Sequence, residues 1–209
     1  MSDPRPPLTS EGYLLAAMQL ADEMGISALT MRALGEHLGV DPTAVYRHFP
    51  NKESLLDAML DFILGEAANL EPTGATPRER ILSVAVNVRA AMRRHPNLAG
   101  AFAQATGDFA NGLTISRRMI AELRALGLTG EHLVRMYQSF EGYILGSSVF
   151  DTGGYPETFT IRQARYRYLN EPEFDEVART AGDVERVTEE AYVLAISTLV
   201  DTCEELAKL

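Results

Sequence analysis

The chain has no tryptophan and only one cysteine, Cys203, among 209 residues. A single cysteine excludes an intrachain disulfide, and a reducing, cytoplasmic setting is the expectation. No apolar run approaches the ~18–20 residues that a membrane-spanning helix needs. The stretch from Met1 to Tyr13 contains no apolar segment of the kind found in secretory signals. Positive charge is scarce: 19 Lys and Arg stand against 29 Asp and Glu, for a net charge of -10. That balance argues against a surface coated in basic groups but leaves room for one small basic patch. Strand signals are also missing, since there is no alternating segment and no hairpin built on an Asn-Gly or Asp-Gly turn. Repeats and low-complexity tracts are absent.

What remains is a helical alphabet. Ala, Leu, Glu, Met and Arg recur, all good helix formers, and apolar residues fall three and four apart. Leu14, Ala17, Met18, Ala21 and Met24 form one stripe; Leu55, Leu56, Met59, Phe62 and Ile63 form another. An all-α protein is expected. Thr9 caps a first helix that runs to Met24 and stops at Gly25. Thr30 caps a short second helix ending at Gly39. Asp41-Pro42 pairs an N-cap with proline at the first helical position and starts a third helix, which ends near Phe49-Pro50. Asn51 caps a fourth, reaching Ala68. The segment Leu70 to Pro77 is the clearest linker, so the boundary is placed there: residues 1–69 form one domain and 70–209 a second.

The second domain is expected to hold helices over Pro77–His95, Asn97–Thr106, Leu113–Leu126 and, capped by Thr129, up to Phe150. Asp151 to Pro156 reads as a break. A weaker helix over Thr160–Leu169 is followed by a polar stretch from Asn170 to Gly182. Asp183 is expected to cap a last long helix to Leu206.

The informative constellation lies between Thr30 and His48. Two short helices are joined by Gly39-Val40-Asp41, which allows only a tight turn, and glycine supplies the positive φ such a turn needs. Gly35, inside the first of them, costs ~1 kcal/mol against alanine unless helices approach closely there. Leu34, Leu38, Val40 and Val45 would share a small core between steeply crossing helices. This is the layout of a helix-turn-helix with Pro42–Phe49 as the helix that enters a major groove. Pro42, Thr43 and Ala44 make its start small enough to approach base edges. Arg47 can read guanine bidentately or bind phosphate, and Tyr46 and His48 can donate to phosphate oxygens. Tyr46 could also be a plain core aromatic, and His48 a capping residue. Lys52 opens the fourth helix against its dipole, a placement that a phosphate would compensate.

The run from Leu29 to Leu56, and Tyr46-Arg-His-Phe-Pro-Asn-Lys52 most specifically, resembles the DNA-binding domain of the tetracycline-repressor (TetR) family of transcriptional regulators. The resemblance covers about Thr9 to Ala68. It implies that Thr30, Arg32, Thr43, Ala44, Tyr46, His48 and Lys52 face DNA. It also implies a homodimer, a double-stranded operator that is an inverted repeat, and a C-terminal helical ligand domain. The last two thirds of the chain match in helix lengths but carry no diagnostic motif, so the resemblance does not give the effector. One feature opposes DNA binding: up to Gly65 there are four basic residues, Arg5, Arg32, Arg47 and Lys52, against nine acidic ones. Weak non-specific binding and reliance on few contacts are therefore expected.

The helix around Leu133 to Phe150 is apolar on two sides: Leu133, Tyr137, Phe140 and Ile144 on one, Met136, Tyr143, Ser147 and Phe150 on the other. Such a helix must bury both sides. Gly142 and Gly146 would permit a close approach. The last helix repeats the theme with Tyr192, Ile196, Leu199, Cys203 and Leu206. Either both are central to a monomer core, or they form an intersubunit four-helix bundle; the dimer is the preferred reading. Glu141 lies on this otherwise apolar surface and needs a partner, either a ligand or an internal arginine such as Arg89 or Arg93, with pairing the simpler of the two. Met92, Phe102, Met119, Tyr137, Phe140 and Glu141 are the candidate lining of an effector pocket. Arg117-Arg118 reads as a solvated face, or else as a clamp for an acidic ligand.

The four histidines lack ligand spacing and a Glu-x-x-His motif, and no nucleophile elbow, phosphate loop or dinucleotide motif occurs, so neither metal, cofactor nor catalysis is expected. The sequence reading is thus a ligand-responsive repressor with a small, largely apolar effector, carrying a polar or basic group near Glu141, and no membrane association. Its competitors are a helical enzyme or metal protein that keeps the helix-turn-helix as scaffold, and a ligand-independent DNA-binding protein.

Overall fold

In a computed structural model, whose described residues are 9–99, 101–102, 107, 109–152 and 158–209, the chain forms α-helices and no strand among those residues. Helices α1 (Ser10–Met24), α2 (Met31–Leu38), α3 (Pro42–His48) and α4 (Lys52–Ala68) begin where the sequence places them. The reason is local: Thr9, Thr30, Asp41 and Asn51 each accept a backbone N–H of the first turn through the side chain. Gly39 closes α2 in the left-handed region at φ 67°. A Cβ on Gly35 would lie 3.1 Å from the Val40 carbonyl oxygen and 3.2 Å from Pro42 Cα. Both neighbours are backbone, so a side chain at position 35 would have to push the turn between α2 and α3 outward, and glycine accommodates the close approach.

Leu34 and Val45 are fully buried at the crossing of α2 and α3, with Leu38 and Val40 packed beside them. The buried face of α1 is Tyr13, Ala17, Met18, Leu20 and Ala21, whereas Met24, expected on the stripe, is exposed. Each such leucine or valine contributes about 1.5–3 kcal/mol by leaving water.

Beyond the connection at 69–76 come α5 (Pro77–Arg94), α6 (Pro96–Ala99), α7 (Ala110–Ala125), α8 (Gly130–Thr152), α9 (Thr158–Leu169), α10 (Pro172–Val177) and α11 (Ala181–Leu206). α5 is the axle: it packs against α4, α6, α7, α8 and α11, and buries Ile81, Val84, Ala85, Val88 and Met92. No helix among the described residues is long and apolar enough to cross a membrane.

Five features differ from expectation. α6 starts at Pro96 and ends at Ala99, short of Thr106, while residues 103–106 lie outside the described set. α7 starts at Ala110 rather than Leu113, because Asn111 is pinned to Asp61 of α4 by hydrogen bonds from both its backbone and side-chain nitrogens. The polar stretch from Asn170 contains α10, whose Phe174 ring packs edge-on against Tyr166 at 5.2 Å. The cap of α11 is Thr180; Asp183 sits inside the first turn and accepts a hydrogen bond from the Thr180 hydroxyl. The expected break at Asp151–Pro156 is partly helix, with 153–157 outside the described residues.

Candidate functional site

α3 has seven residues, enough for one buried face and one exposed face. Val45 and the following Phe49 point inward. Asp41 accepts the backbone N–H of Thr43 at 2.8 Å and its hydroxyl at 2.6 Å. The Thr43 hydroxyl, then its backbone N–H, hold the Asp41 carboxyl below its ordinary pKa of 3.8. Pro42 and Ala44 are half-buried, while Thr43, Tyr46, Arg47 and His48 are exposed. Tyr46 is 51% exposed, which removes it from the core. His48 is oriented by α1: its Nδ1 lies 2.8 Å from the Ser10 hydroxyl, and its ring lies 4.6 Å from the Tyr13 ring.

Thr30 and Arg32 flank this surface from α2. The Thr30 oxygen is taken as the α2 cap, leaving its proton free to donate. Arg32 forms an exposed ion pair with Glu36 at 2.8 Å, an arrangement that contributes little to stability and is readily exchanged for a phosphate. Lys52 has a partner within the protein that the sequence did not indicate. Its ammonium already donates to the Ile26 carbonyl oxygen at 3.2 Å, so it ties the start of α4 to the turn after α1 without any phosphate.

A second feature lies at the other end of α4. A cavity of about 490 Å³ opens between α4, α5, α7 and α8. Its wall includes five of the six residues expected there: Phe102, Met119, Tyr137, Phe140 and Glu141. Contrary to expectation, Met92 is fully buried where α5 packs into the core and is not part of the wall. Sequence reasoning missed Leu64, Val88, Phe109, Ser116 and Ile144, which complete much of the lining. Leu64 lies on α4 just beyond the expected stripe of Leu55, Leu56, Met59, Phe62 and Ile63. Gly112 brings α7 close enough that a Cβ there would lie 3.2 Å from Leu64 Cδ1.

The cavity has one polar corner. The Tyr137 hydroxyl lies 2.8 Å from Ser116 Oγ and 2.7 Å from Glu141 Oε1. Burial is the main cause that raises the Tyr137 pKa, so the phenol keeps its proton. The expected pairing of Glu141 with Arg89 or Arg93 does not occur. Those arginines, one turn apart on α5, face Glu185 and Glu189, one turn apart on α11: Arg89 meets Glu189 at 2.9 Å, and Arg93 meets Glu185 at 2.5 Å. Arg89 also holds Asp151 at 2.7 Å and lies over the Tyr192 ring at 4.3 Å. Glu141 is exposed at the cavity rim rather than buried.

α7 grips α4 at two levels. Besides Asn111 on Asp61, Arg118 donates to the Ala68 carbonyl oxygen at 2.6 Å, to that of Leu70 at 2.9 Å and to Glu71 at 2.6 Å. Arg118 is therefore a cap on the C-terminus of α4, neither a solvated side chain nor a ligand clamp; Arg117 is exposed. The α5–α6 corner adds a third tie, with His95 Nε2 3.2 Å from Glu66 of α4 and Asn97 donating to the Asp22 carbonyl of α1 at 3.1 Å. Among the described residues no group of three His, Cys, Asp or Glu could hold a metal ion.

The surface of α8 and α11 is divided. Leu133, Met136, Phe140 and Ile144, with Tyr192, Ile196 and Cys203, turn into the protomer's own core. Alongside them Ser139, Gly142, Gly146, Ala191, Leu194 and Thr198 are exposed, as is Phe150. A Cβ on Gly142 or Gly146 would meet nothing within 4 Å.

Residues 14–59 match the family described as bacterial regulatory proteins, tetR family, and residues 71–190 match the tetracyclin repressor-like C-terminal domain. The HTH-type transcriptional repressor DrrR1 of Streptomyces coeruleorubidus is 30% identical over 146 residues, covering 69% of this chain and 54% of that protein. The chain thus spans about half the length of that curated relative. A possible TetR family transcriptional regulator from Streptomyces coelicolor A3(2) superposes with a TM-score of 0.78 at 22% identity, covering 95% of this chain and 100% of the other. BioQ of Mycobacterium smegmatis superposes with a TM-score of 0.70 at 25% identity, covering 95% and 99%. BioQ has also been solved with its double-stranded DNA operator, where the TM-score is 0.63 at 25% identity, with 95% and 99% covered.

Proposed function

The chain belongs to the tetR family of bacterial regulatory proteins, and from that premise we infer that it is a DNA-binding transcriptional regulator, a repressor released from its operator by a small molecule. It acts by binding rather than by catalysis, in the cytoplasm where the DNA is. We divide it at residues 69 and 70 into a DNA-binding unit (1–69) and a unit for effector binding and dimerisation (70–209).

The observation that carries this reading is the course of α4. Its first residue, Lys52, is tied to the helix-turn-helix at Ile26. Its Leu64, more than three turns later, is part of the cavity wall. A 17-residue helix is about 25 Å long, so one rigid element touches both the DNA-binding unit and the cavity. Thr30, Arg32, Pro42, Thr43, Ala44, Tyr46, Arg47, His48 and Lys52 are the proposed DNA-facing set. Pro42 and Ala44 let α3 approach, Arg47 reads a base or a phosphate, and the others donate to phosphate. Phe102, Met119, Tyr137, Phe140 and Glu141 are proposed to meet a small, largely apolar effector. The exposed strip of α8 and α11 is proposed to meet the same strip of a second copy, which presents two α3 helices to an inverted repeat.

An effector lowers operator affinity only if it binds the DNA-incompetent arrangement more tightly. A coupling of ~1–3 kcal/mol corresponds to a roughly 5–150-fold loss. The test is a gel-shift titration of a duplex chosen by the protein from a random pool, with and without a saturating aromatic compound shown to occupy the cavity. A fall in affinity within that range supports the reading; unchanged affinity contradicts it.

A further inference from the structure

The polar corner of the cavity decides what kind of effector fits, provided the cavity is the effector site as proposed above. Tyr137 has one proton and two acceptors within reach, Ser116 Oγ and Glu141 Oε1. A carboxylate is the stronger acceptor, so the phenol donates to Glu141 and the Ser116 hydroxyl donates to the phenol oxygen. Every proton in the corner is then committed in one direction, toward Glu141. The second carboxylate oxygen, Oε2, is left as an acceptor at the rim, and among the described lining residues no side chain is left to donate to it.

Charge agrees with this count. Among the described residues Glu141 is the one charged side chain on the wall, which is otherwise aliphatic, aromatic, glycine or the thioether Met119 apart from Ser116 and Tyr137. A second carboxylate borders the wall elsewhere: Asp57 of α4 approaches the lining residue Gly107 so closely that a Cβ there would meet its Oδ2 at 2.5 Å. Arg118, the half-buried arginine of α7, is committed to Ala68, Leu70 and Glu71. A negative group brought to this corner would find acceptors and a like charge; a positive donor would find both its hydrogen-bond partner and its counter-ion.

We propose that the cavity selects a hydrophobic cation: an aromatic or aliphatic body held among Phe102, Met119 and Phe140, with a protonated amine at the rim on Glu141, whose carboxylate is positioned by Tyr137. Tyr137 acts here as a positioning residue.

Three compounds with one body and different heads test this: pyrenemethylamine, pyrenemethanol and pyrenecarboxylate, each titrated into the full chain at neutral pH and followed by pyrene fluorescence. The wild type binds the amine about tenfold more tightly than the alcohol, the range of a charge-assisted hydrogen bond at a partly exposed site, and binds the carboxylate most weakly. Glu141→Gln removes the charge at an exposed position, where unfolding is not at issue, and a thermal melt checks that. In that variant the amine falls to the level of the alcohol and the carboxylate rises toward it, while Glu141→Asp keeps the preference for the amine. Equal binding of all three compounds, unaffected by Glu141→Gln but abolished by filling the cavity with Ile120→Trp, would overturn the cation assignment and leave the effector site standing. Binding of none of them, or binding that Ile120→Trp leaves unchanged, would overturn both.

Discussion

The guanidinium of Arg118, on α7, donates to the main-chain carbonyl of Ala68, the last residue of α4, at a distance of 2.6 Å. The last carbonyls of a helix have no intrahelical donor, and a cation there also favours the helix dipole. The same α7 supplies Ser116, Met119 and Ile120 to the cavity wall. A shift of α7 around a molecule in the cavity would therefore pull on α4 through a charged hydrogen bond.

Arg118→Ala is expected to lose about 1.5–3 kcal/mol of stability, the usual range for a hydrogen bond made by a charged group. The diagnostic effect is on coupling. Operator affinity without effector changes little, whereas the loss of affinity on adding a cavity ligand shrinks. Urea unfolding measures the first effect, and gel shifts with and without ligand measure the second. A variant that keeps the full response would show that α7 transmits nothing through Arg118.

Arg47 and Lys52 are expected to separate in mutation. Arg47 is exposed on α3 and free to meet a base, so Arg47→Ala weakens specific binding by ~1–3 kcal/mol and relaxes preference at one operator position if it reads guanine. Lys52 holds Ile26, so Lys52→Ala weakens all sequences about equally and also lowers the melting temperature. Binding to a panel of single-position operator variants checks both; unchanged affinity for the pair would remove them from the interface.

Asp41 makes α3 sensitive to acid. Its carboxyl is held below its ordinary value of 3.8 by the Thr43 hydroxyl and backbone N–H. A carboxyl depressed by folding stabilises the fold at pH values above its unfolded value. That contribution fades as pH falls below about 4, through the folded-state value. Asp41→Asn should therefore be less stable than the wild type at neutral pH, with the gap narrowing toward pH 3. A gap independent of pH in thermal melts would contradict the role of the charged cap.

The exposed strip on α8 and α11 predicts a dimer that Leu194→Asp splits, since Leu194 is 68% exposed in the lone protomer and a carboxylate buried against its symmetry mate is unfavourable. Sedimentation at micromolar concentration should give a dimer for the wild type and a monomer for the variant. Two copies of Arg5, Arg32, Arg47 and Lys52, of which Arg5 lies outside the described residues, limit the phosphate contacts. The slope of log affinity against log salt should be no steeper than about -7. A stable wild-type monomer, or a much steeper slope, would contradict this footprint.

The helix-turn-helix is legible in the sequence because its determinants are local: Thr30, Asp41 and Asn51 each bond within their own first turn, and Gly35 and Gly39 meet requirements set by their immediate neighbours. The cavity is legible only in part. Phe102, Met119, Tyr137, Phe140 and Glu141 stand out as aromatic, sulfur or charged residues on apolar helices, but Met92 has the same character and is core. Which apolar residue faces a void depends on helices distant in sequence. The partners of Glu141 and Arg118 are hidden from the sequence for the same reason. Arg89 finds Glu189 a hundred positions away, and Arg118 finds the carbonyl of Ala68 fifty positions back. Periodicity indicates that a charged side chain on an apolar helix needs a partner, but it does not indicate which one.

The most direct measurement is selection of duplexes from a random-sequence pool by the full chain, with Arg47→Ala run in parallel. The account predicts enrichment of an inverted repeat whose half-sites lie about 34–36 Å apart, one duplex turn or a multiple of it. It also predicts loss or relaxation of that sequence in the variant. A pool that emerges no different from its input, or one enriched equally by both proteins, would contradict it.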